Sequence, residues 1–182
     1  LVRTIEADYE AAMAYHGHLC HGMVMGIRMG RYGCRQLGID DPQKYRDLIV
    51  YVEMDRCASD AVSIAAGVTL GKRRLKWVDY GKLAATFVDL ATGRAIRIAP
   101  RPEVPHAGSD TDPLEFWNDW TDEQLFTCTE VRLVVPQEDQ PGRPVRRAVC
   151  ARCGEEVQDA RDVVVDGETL CRACAFGAYY QV

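Results

Sequence analysis

Apolar residues recur at helical spacing in three segments of the first part of the chain. The segment from Thr4 to Ala14 is predicted as a helix, because Thr4 can cap its start and acidic residues occupy its opening turns. Leu19 to about Leu37 is predicted as a second helix with glycines at every fourth position, which indicates close backbone packing within the core or across a homodimer. A third helix is predicted to open near Cys57 and to end near Gly67.

Runs of β-branched and aromatic residues predict a sheet. Strands are expected at residues 48–54, 75–78, 83–90, 94–98 and 129–135. The turn Ala91-Thr92-Gly93 indicates a hairpin, so an antiparallel sheet is implied. Asp112-Pro113 is predicted to open a short helical segment before the last strand. These elements predict an α+β fold with helices packed on an antiparallel or mixed sheet.

A proline-rich stretch separates this core from a second unit. Residues 136–144 contain three prolines, one glycine and several charges, which is the composition of a linker. The predicted organisation is an α+β core over 1–136, a linker over 137–146 and a terminal module over 147–182. A chain of 182 residues is long enough for one such core and a small appendage.

Net charge and hydropathy limit the kinds of molecule that the protein is expected to bind. A net charge of −5 argues against a protein whose whole surface binds nucleic acid. The local basic run 72–76 predicts a solvated loop, with contact to an anionic ligand as the alternative. No apolar run approaches the roughly twenty residues of a membrane span, and no signal-peptide pattern is visible, so a cytoplasmic location without a membrane partner is expected.

Four of the eight cysteines form a pattern typical of a structural zinc site. Two Cys-x-x-Cys pairs, seventeen residues apart, consist of Cys150, Cys153, Cys171 and Cys174. An Asp166-Gly167 turn predicts a hairpin between them, and a helix is predicted from Arg172 to Tyr180, which together describe a treble clef. A piece of about forty residues has too little core to fold alone, so the metal supplies folding free energy. Because thiolates fill all four positions, the zinc is expected to be structural, with rubredoxin-like iron as the alternative.

The densest group of ligating side chains lies at residues 15–22. It contains three imidazoles and one thiol, those of His16, His18, Cys20 and His21. Such groups bind soft or borderline metals, or pair as base and nucleophile. If a helix begins near His16, that imidazole and Cys20 lie one turn apart; if it begins near Leu19, Cys20 lies in a first turn that favours a thiolate. A histidine-rich turn that merely caps a helix is the structural alternative.

A second thiol and a carboxylate lie at the predicted corner between the first strand and the third helix. Cys57 and Asp60 occupy this corner, which is a usual place for site residues. Asp60 is also expected as a first-turn residue that matches the helix dipole. We predict that Cys57 shares a pocket with the histidines and Cys20.

The chain resembles the E-subunit family of molybdenum formylmethanofuran dehydrogenase. The resemblance is carried by three motifs in order: His16-Gly17-His18-Leu19-Cys20-x-Gly22; Cys57-Ala58-Ser59-Asp60-Ala61 with Gly67-x-Thr69-x-Gly71-Lys72; and Asp79-Tyr80-Gly81-Lys82-x-Ala84. It implies an α+β core, often dimeric, with an appended treble-clef zinc finger in some members. It also implies association with the enzyme system that fixes carbon dioxide as a formyl group on methanofuran, the opening step of methanogenesis. His21 departs from the motif, where proline is common, and is interpreted as a surface residue, with an extra ligand as the alternative.

Two hypotheses of function follow. In the first, His16, His18, Cys20, Cys57 and Asp60 form a metal- or thiol-based site for a small molecule, with His18, Cys20 and Cys57 as ligands of a second metal ion. Their place in the family motifs makes Thr69, Lys72 and Lys82 candidates for holding an anionic group of that molecule. In the second, the chain is a non-catalytic accessory protein whose homodimer docks a larger dehydrogenase complex. A nucleic-acid-binding regulatory role ranks third.

Overall fold

The computed structural model of the chain describes residues 2–108 and 110–181. They divide into two compact units between residues 133 and 134. In chain order, the elements of the first unit are α1 (Ile5–His16), α2 (His21–Gln36), β1 (Leu48–Val52), α3 (Cys57–Ala66), β2 (Leu75–Trp77), β3 (Ala85–Asp89), β4 (Ala95–Pro100), α4 (Pro113–Asn118), α5 (Asp122–Leu125) and β5 (Phe126–Val131). Among the described residues, no helix is long and apolar enough to cross a membrane.

The first unit is built on one mixed sheet of five strands. Its strand order is β2-β1-β3-β4-β5, with β1 and β2 parallel and the other neighbours antiparallel. The parallel pair arises because the chain passes through α3 between β1 and β2. The β3–β4 hairpin turns at the predicted place, and Gly93 adopts a φ of 72° there. The prediction of an α+β fold with helices on a mixed sheet is confirmed.

The predicted glycine face of α2 packs against α3 of the same chain. A Cβ atom added to Gly26 would lie 2.6 Å from the carbonyl oxygen of Ala58 and 2.6 Å from the Cβ of Ala61. A Cβ added to Gly30 would lie 2.7 Å from the Cβ of Ala65. Packing within the core therefore accounts for these glycines, and it brings the N-termini of α2 and α3 close together.

The main core lies between these helices and one face of the sheet. Its largest fully buried side chains include Phe87 on β3, which lies 2.6 Å from the position that a Cβ of Gly33 would take. Burial of an aromatic side chain of this size contributes about 2–3 kcal/mol, so the core unit has an ordinary hydrophobic source of stability.

Three features of the core unit differ most from the prediction. The last strand of the sheet is Phe126–Val131 rather than 129–135, and the short helix α5 before it was not predicted. A capping box between Thr121 and Gln124 starts α5, and pairing of Phe126 with Pro100 sets the strand. Of the two predicted starts for the second helix, the one near His16 is wrong, because α1 ends at that residue.

The second unit contains two short hairpins and a helix. Its elements are a 3-10 helix (Gln137–Asp139), β6 (Arg147–Val149), β7 (Glu156–Gln158), β8 (Val163–Val165), β9 (Glu168–Leu170) and α6 (Arg172–Phe176). The β8–β9 hairpin turns through Asp166 and Gly167, both with positive φ, as the sequence predicts. The terminal helix is shorter than predicted, because Gly177 ends it at a φ of 99°.

Candidate metal centres

The histidine-rich stretch is a tight junction between two helices. Thr4 caps α1 by accepting a hydrogen bond from the backbone N–H of Ala7, and the helix ends after His16, where Gly17 takes a left-handed φ of 95°. Cys20 is the extended N-cap residue of α2, whose first residue is His21. The junction therefore leaves His16 on the last turn of one helix and Cys20 just before the first turn of the next.

The structure brings three of the predicted residues together. One ligand atom each of His16, His18 and Cys57 lies within 4.8 Å of the other two. The rings of His16 and His18 have centroids 4.8 Å apart, and His18 is exposed whereas the other two residues are half-buried. Cys57 joins them because it is the first residue of α3, and α3 packs on α2. We refer to His16, His18 and Cys57 as the core cluster.

Asp60 holds one imidazole of the core cluster in place. Its Oδ2 lies 2.9 Å from Nδ1 of His16, and it belongs to the first turn of α3. An imidazole that donates its Nδ1–H to a carboxylate keeps Nε2 free as a metal ligand, and the carboxylate makes that nitrogen more basic. Asp60 therefore orients the imidazole of His16, and it also lies in the first turn of α3, where a carboxylate matches the helix dipole.

Cys20 lies next to Cys57. A Cβ added to Gly22 would lie 3.3 Å from the Cβ of Cys57 and 3.7 Å from the Sγ of Cys20, so both cysteines border the same glycine. Burial, followed by the neighbouring thiol of Cys20, raises the pKa of Cys57. Without a metal, Cys57 is therefore a protonated thiol at neutral pH rather than the thiolate that a helix N-terminus alone would favour.

His21 is a packing residue and not part of the core cluster. Its Nε2 lies 3.1 Å from the carbonyl oxygen of Gly108 and 3.1 Å from the hydroxyl of Thr111. Its ring packs edge-on against Phe116 and Trp117. The interpretation of His21 as a mere surface residue is therefore wrong, since the residue ties the loop before α4 to the start of α2.

A cavity of about 580 Å³ lies beside the core cluster. We call it the basic cavity; the charged and polar residues in its lining include Arg3, Tyr15, Arg46, Asp60, Thr69 and Lys72. Two predicted ligand-binding residues, Thr69 and Lys72, thus share a cavity with Asp60. Lys82 does not line it, and its Nζ lies 5.8 Å from the ring centroid of Tyr80. Arg46 was not predicted, because it lies outside every motif.

The four cysteines of the terminal unit form a zinc site. Their sulfur atoms lie within 4.8 Å of one another, and the sulfurs of Cys153 and Cys171 are 3.9 Å apart. Tetrahedral zinc with Zn–S bonds of about 2.3 Å requires sulfurs roughly 3.8 Å apart, so the group fits the ion. Cys150 and Cys153 flank the turn after β6, whereas Cys171 caps α6 and Cys174 lies within it. We call this group the zinc cage.

Hydrogen bonds already distinguish the thiols of the zinc cage. Backbone N–H groups, first that of Cys153 and then that of Cys171, lower the pKa of Cys150 to about 6. The hydrogen bond with the side chain of Cys171 raises the pKa of Cys174 to about 12. The backbone is thus arranged to stabilise negative charge at one sulfur, and a metal ion is required to hold all four as thiolates.

The fold and these centres define a metal-binding α+β protein with a small C-terminal zinc module. Residues 15–136 match the family described as FmdE, molybdenum formylmethanofuran dehydrogenase operon, and the chain belongs to that family. Residues 143–180 match the prokaryotic dksA/traR C4-type zinc finger. The resemblance inferred from the motifs is therefore confirmed, and so is the zinc module.

Two known proteins resemble the chain along most of its length. A crystal structure of a tungsten formylmethanofuran dehydrogenase FmdE-like protein from Syntrophus aciditrophicus matches with a TM-score of 0.63 and 21% identity, over 98% of this chain and 96% of that one. A probable S-adenosyl-L-methionine-binding protein of Archaeoglobus fulgidus is 29% identical over 94% of this chain. The chain spans about half the length of that relative, 53%.

Proposed function

We propose that the core cluster is a second metal site, at which the protein binds or transforms a small molecule. The observation that carries this proposal is the convergence of His16, His18 and Cys57 within 4.8 Å. Two imidazoles and a thiolate suit zinc and other transition metals. Three protein ligands leave a coordination position for water or substrate, which is the arrangement of catalytic zinc sites.

The neighbouring residues support a built site rather than a chance cluster. Asp60 orients His16, as carboxylates commonly do for metal-binding imidazoles. We assign Cys20 as a separate thiol beside the metal, because its sulfur borders Cys57 without joining the group of three. A metal ion at this position overcomes the raised pKa of Cys57, since coordination deprotonates the thiol.

Metal analysis of purified variants tests the proposal. The wild-type chain is expected to contain two metal ions, Cys57→Ser one, and Cys150→Ser one, held in the core. Cys128→Ser is the matched control, because Cys128 is exposed and lies outside both groups. Unchanged metal content in Cys57→Ser, or a metal-free Cys150→Ser protein, would contradict a core metal site.

The relatives support a proposal for the small molecule and for the metabolic setting. S-adenosyl-L-methionine is the first compound to test, because a relative 29% identical over most of this chain is named as its probable binder. Isothermal titration of the intact chain with this compound decides the point, and an absence of heat at millimolar concentration would dismiss it. Membership of a family named for a formylmethanofuran dehydrogenase operon supports a role in one-carbon metabolism.

An accessory role in a dehydrogenase complex is the second candidate. The family description supports it, and we propose a cytoplasmic homodimer as the form that docks. Sedimentation of the chain, alone and with the purified dehydrogenase, separates the two proposals. A chain that binds the complex equally well with and without Cys57→Ser would favour docking over chemistry at the core cluster.

A further inference from the structure

The basic cavity joins the core cluster through one side chain. Asp60 lines the cavity and also holds His16, so a molecule that touches Asp60 lies one side chain away from the cluster. A volume of about 580 Å³ falls within the range of metabolite pockets. The cavity can therefore hold a molecule that reaches the cluster with one end and leaves the other end among different residues.

Charge in the basic cavity is unbalanced. Three cationic residues, Arg3, Arg46 and Lys72, line it together with a single carboxylate, that of Asp60. Asp60 is already bonded to His16, and Arg3 is paired with Asp8 outside the lining. Among the described residues, no carboxylate forms an ion pair with Arg46 or Lys72.

Several other arginines of the core unit form ion pairs with carboxylates, among them Arg28, Arg31, Arg35, Arg94 and Arg97. An exposed cation alone is usually just solvated. Arg46 and Lys72 differ from a random surface pair because they come from separate loops, after α2 and after α3, and converge on one cavity.

A third guanidinium adds to the positive charge near this cavity. Arg74 is 3% exposed and donates to the carbonyl oxygens of Tyr45 and Gly67. Burial lowers the pKa of Arg74, and the charge of the neighbouring Arg46 lowers it further. Two like charges side by side repel each other, so an anion near Arg46 would relieve this repulsion.

We propose that the basic cavity binds the acid group, a carboxylate or a phosphate, of a small molecule. Arg46 and Lys72 supply the charge, and the hydroxyl of Thr69 supplies a further hydrogen bond. The acid group anchors the molecule, and its other end extends past Asp60 toward the core cluster. This proposal adds to the proposed function by naming the class of ligand. Binding of the acid group does not depend on the proposed function, but the extension of the ligand toward the core cluster does.

Anion titrations of the intact chain test the anchor. Inorganic phosphate and acetate are titrated separately at constant ionic strength, and backbone amide shifts are followed by NMR. We expect shifts concentrated in residues 67–75 and near Arg46. Tighter binding of phosphate identifies a phosphate group as the natural anchor, and tighter binding of acetate identifies a carboxylate.

Variants connect the binding to the named residues. Arg46→Gln and Lys72→Gln are each expected to weaken anion binding about tenfold, as loss of a charge-assisted hydrogen bond would. Arg132→Gln is the matched control, an exposed arginine that does not line the basic cavity, and it should change the affinity less than about twofold. Absence of binding by both anions, shifts spread evenly over the surface, or equal affinities in all variants would overturn the proposal.

The same titration on Cys57→Ser separates this inference from the proposed function. Anion binding through Arg46 is expected to persist in Cys57→Ser, because Cys57 does not line the basic cavity. If the core cluster of the wild-type protein holds no metal but the anion still binds through Arg46, the anchor stands and the metal site falls. If the metal is present and Arg46→Gln binds the anion as well as the wild type does, the metal site stands and the anchor falls.

Discussion

The zinc cage and the core cluster, which we propose as a second metal site, differ in the kind of side chains they contain and in where those side chains come from. The zinc cage draws four thiols from one short unit, and together they fill the four positions of tetrahedral zinc. The core cluster takes two imidazoles from the junction between α1 and α2 and one thiol from α3, which follows much later in the sequence. His18 is exposed to solvent. Zinc at the first site would stabilise a unit that has little core of its own, whereas the second group of side chains belongs to a unit with a large buried apolar core. In this protein the group of four ligand side chains lies in the unit that needs a metal to fold, and the group of three lies in the unit that has a hydrophobic core.

Breaking the zinc cage should have the largest effect. Cys150→Ser removes a thiolate ligand, and structural zinc supplies about 10–16 kcal/mol in comparable small units, so the terminal module should unfold. Amide NMR signals of residues 147–181 should collapse to random-coil positions, while those of β1 and β3 remain. Cys128→Ser should leave both sets in place. A folded module in zinc-free Cys150→Ser would remove the contrast between the two units.

Overpacking the helix contact should damage the core unit alone. Gly26→Ala places a Cβ 2.6 Å from the backbone carbonyl of Ala58, so α2 and α3 must separate, at a cost of about 1–3 kcal/mol. Urea unfolding of the core measures this loss. Gly71→Ala is the matched control, because nothing lies within 4 Å of its added Cβ. If Gly26→Ala were as stable as the control, the close approach of the two helices would be disproved.

Removing the charge of Asp60 should weaken the core metal without touching the zinc cage. Asp60→Asn keeps the side-chain shape but loses the carboxylate that orients His16, and such partners are typically worth about 10–100-fold in metal affinity. Competition with a chromophoric chelator gives both affinities in one protein. A core affinity equal to that of the wild type would show that Asp60 serves only the helix dipole.

The smallest expected effect concerns acid stability of the core sheet. Arg97 forms two hydrogen bonds with the buried carboxylate of Glu53 and lowers its pKa. The lowered pKa means that this stabilisation is present above the ordinary carboxyl value of about 4.3 and is lost as the pH falls through the folded-state value. Glu53→Gln should therefore cost about 1–2 kcal/mol at pH 7 and flatten the acid dependence of unfolding.

An exposed ion pair, between the residue that precedes β4 and a residue of β5, provides the control for this measurement. Arg94 and Glu130 form an ion pair at the surface, and Glu130→Gln should change the unfolding free energy by less than about 0.5 kcal/mol. Equal losses in the two variants would mean that burial of Glu53 adds nothing to its pairing.

Local signals explain why some elements were predictable and others were not. The cap at Thr4, the end of α3 at Gly67 and the Asp166-Gly167 turn depend on neighbours in sequence, and each is found where predicted. The last strand was misplaced because residues 129–135 have strong β propensity, whereas pairing of β5 with β4 begins at Phe126. Strand register depends on the partner strand, which lies far away in sequence.

The zinc cage could be located from the amino-acid order alone, because each Cys-x-x-Cys spacing holds two thiols together in any fold and the separation of the two pairs is typical of a zinc module. The family could be recognised in the same way, through motifs that hold His16, Cys20 and Cys57 in order. The predicted meeting of Cys57 with the histidines depends on α3 packing against the glycine face of α2, so the tertiary structure decided that it occurs and that Cys20 stays outside the group of three. Folding likewise brought Arg46 and Lys72 to one cavity, because no spacing along the chain encodes a meeting of two loops 26 positions apart.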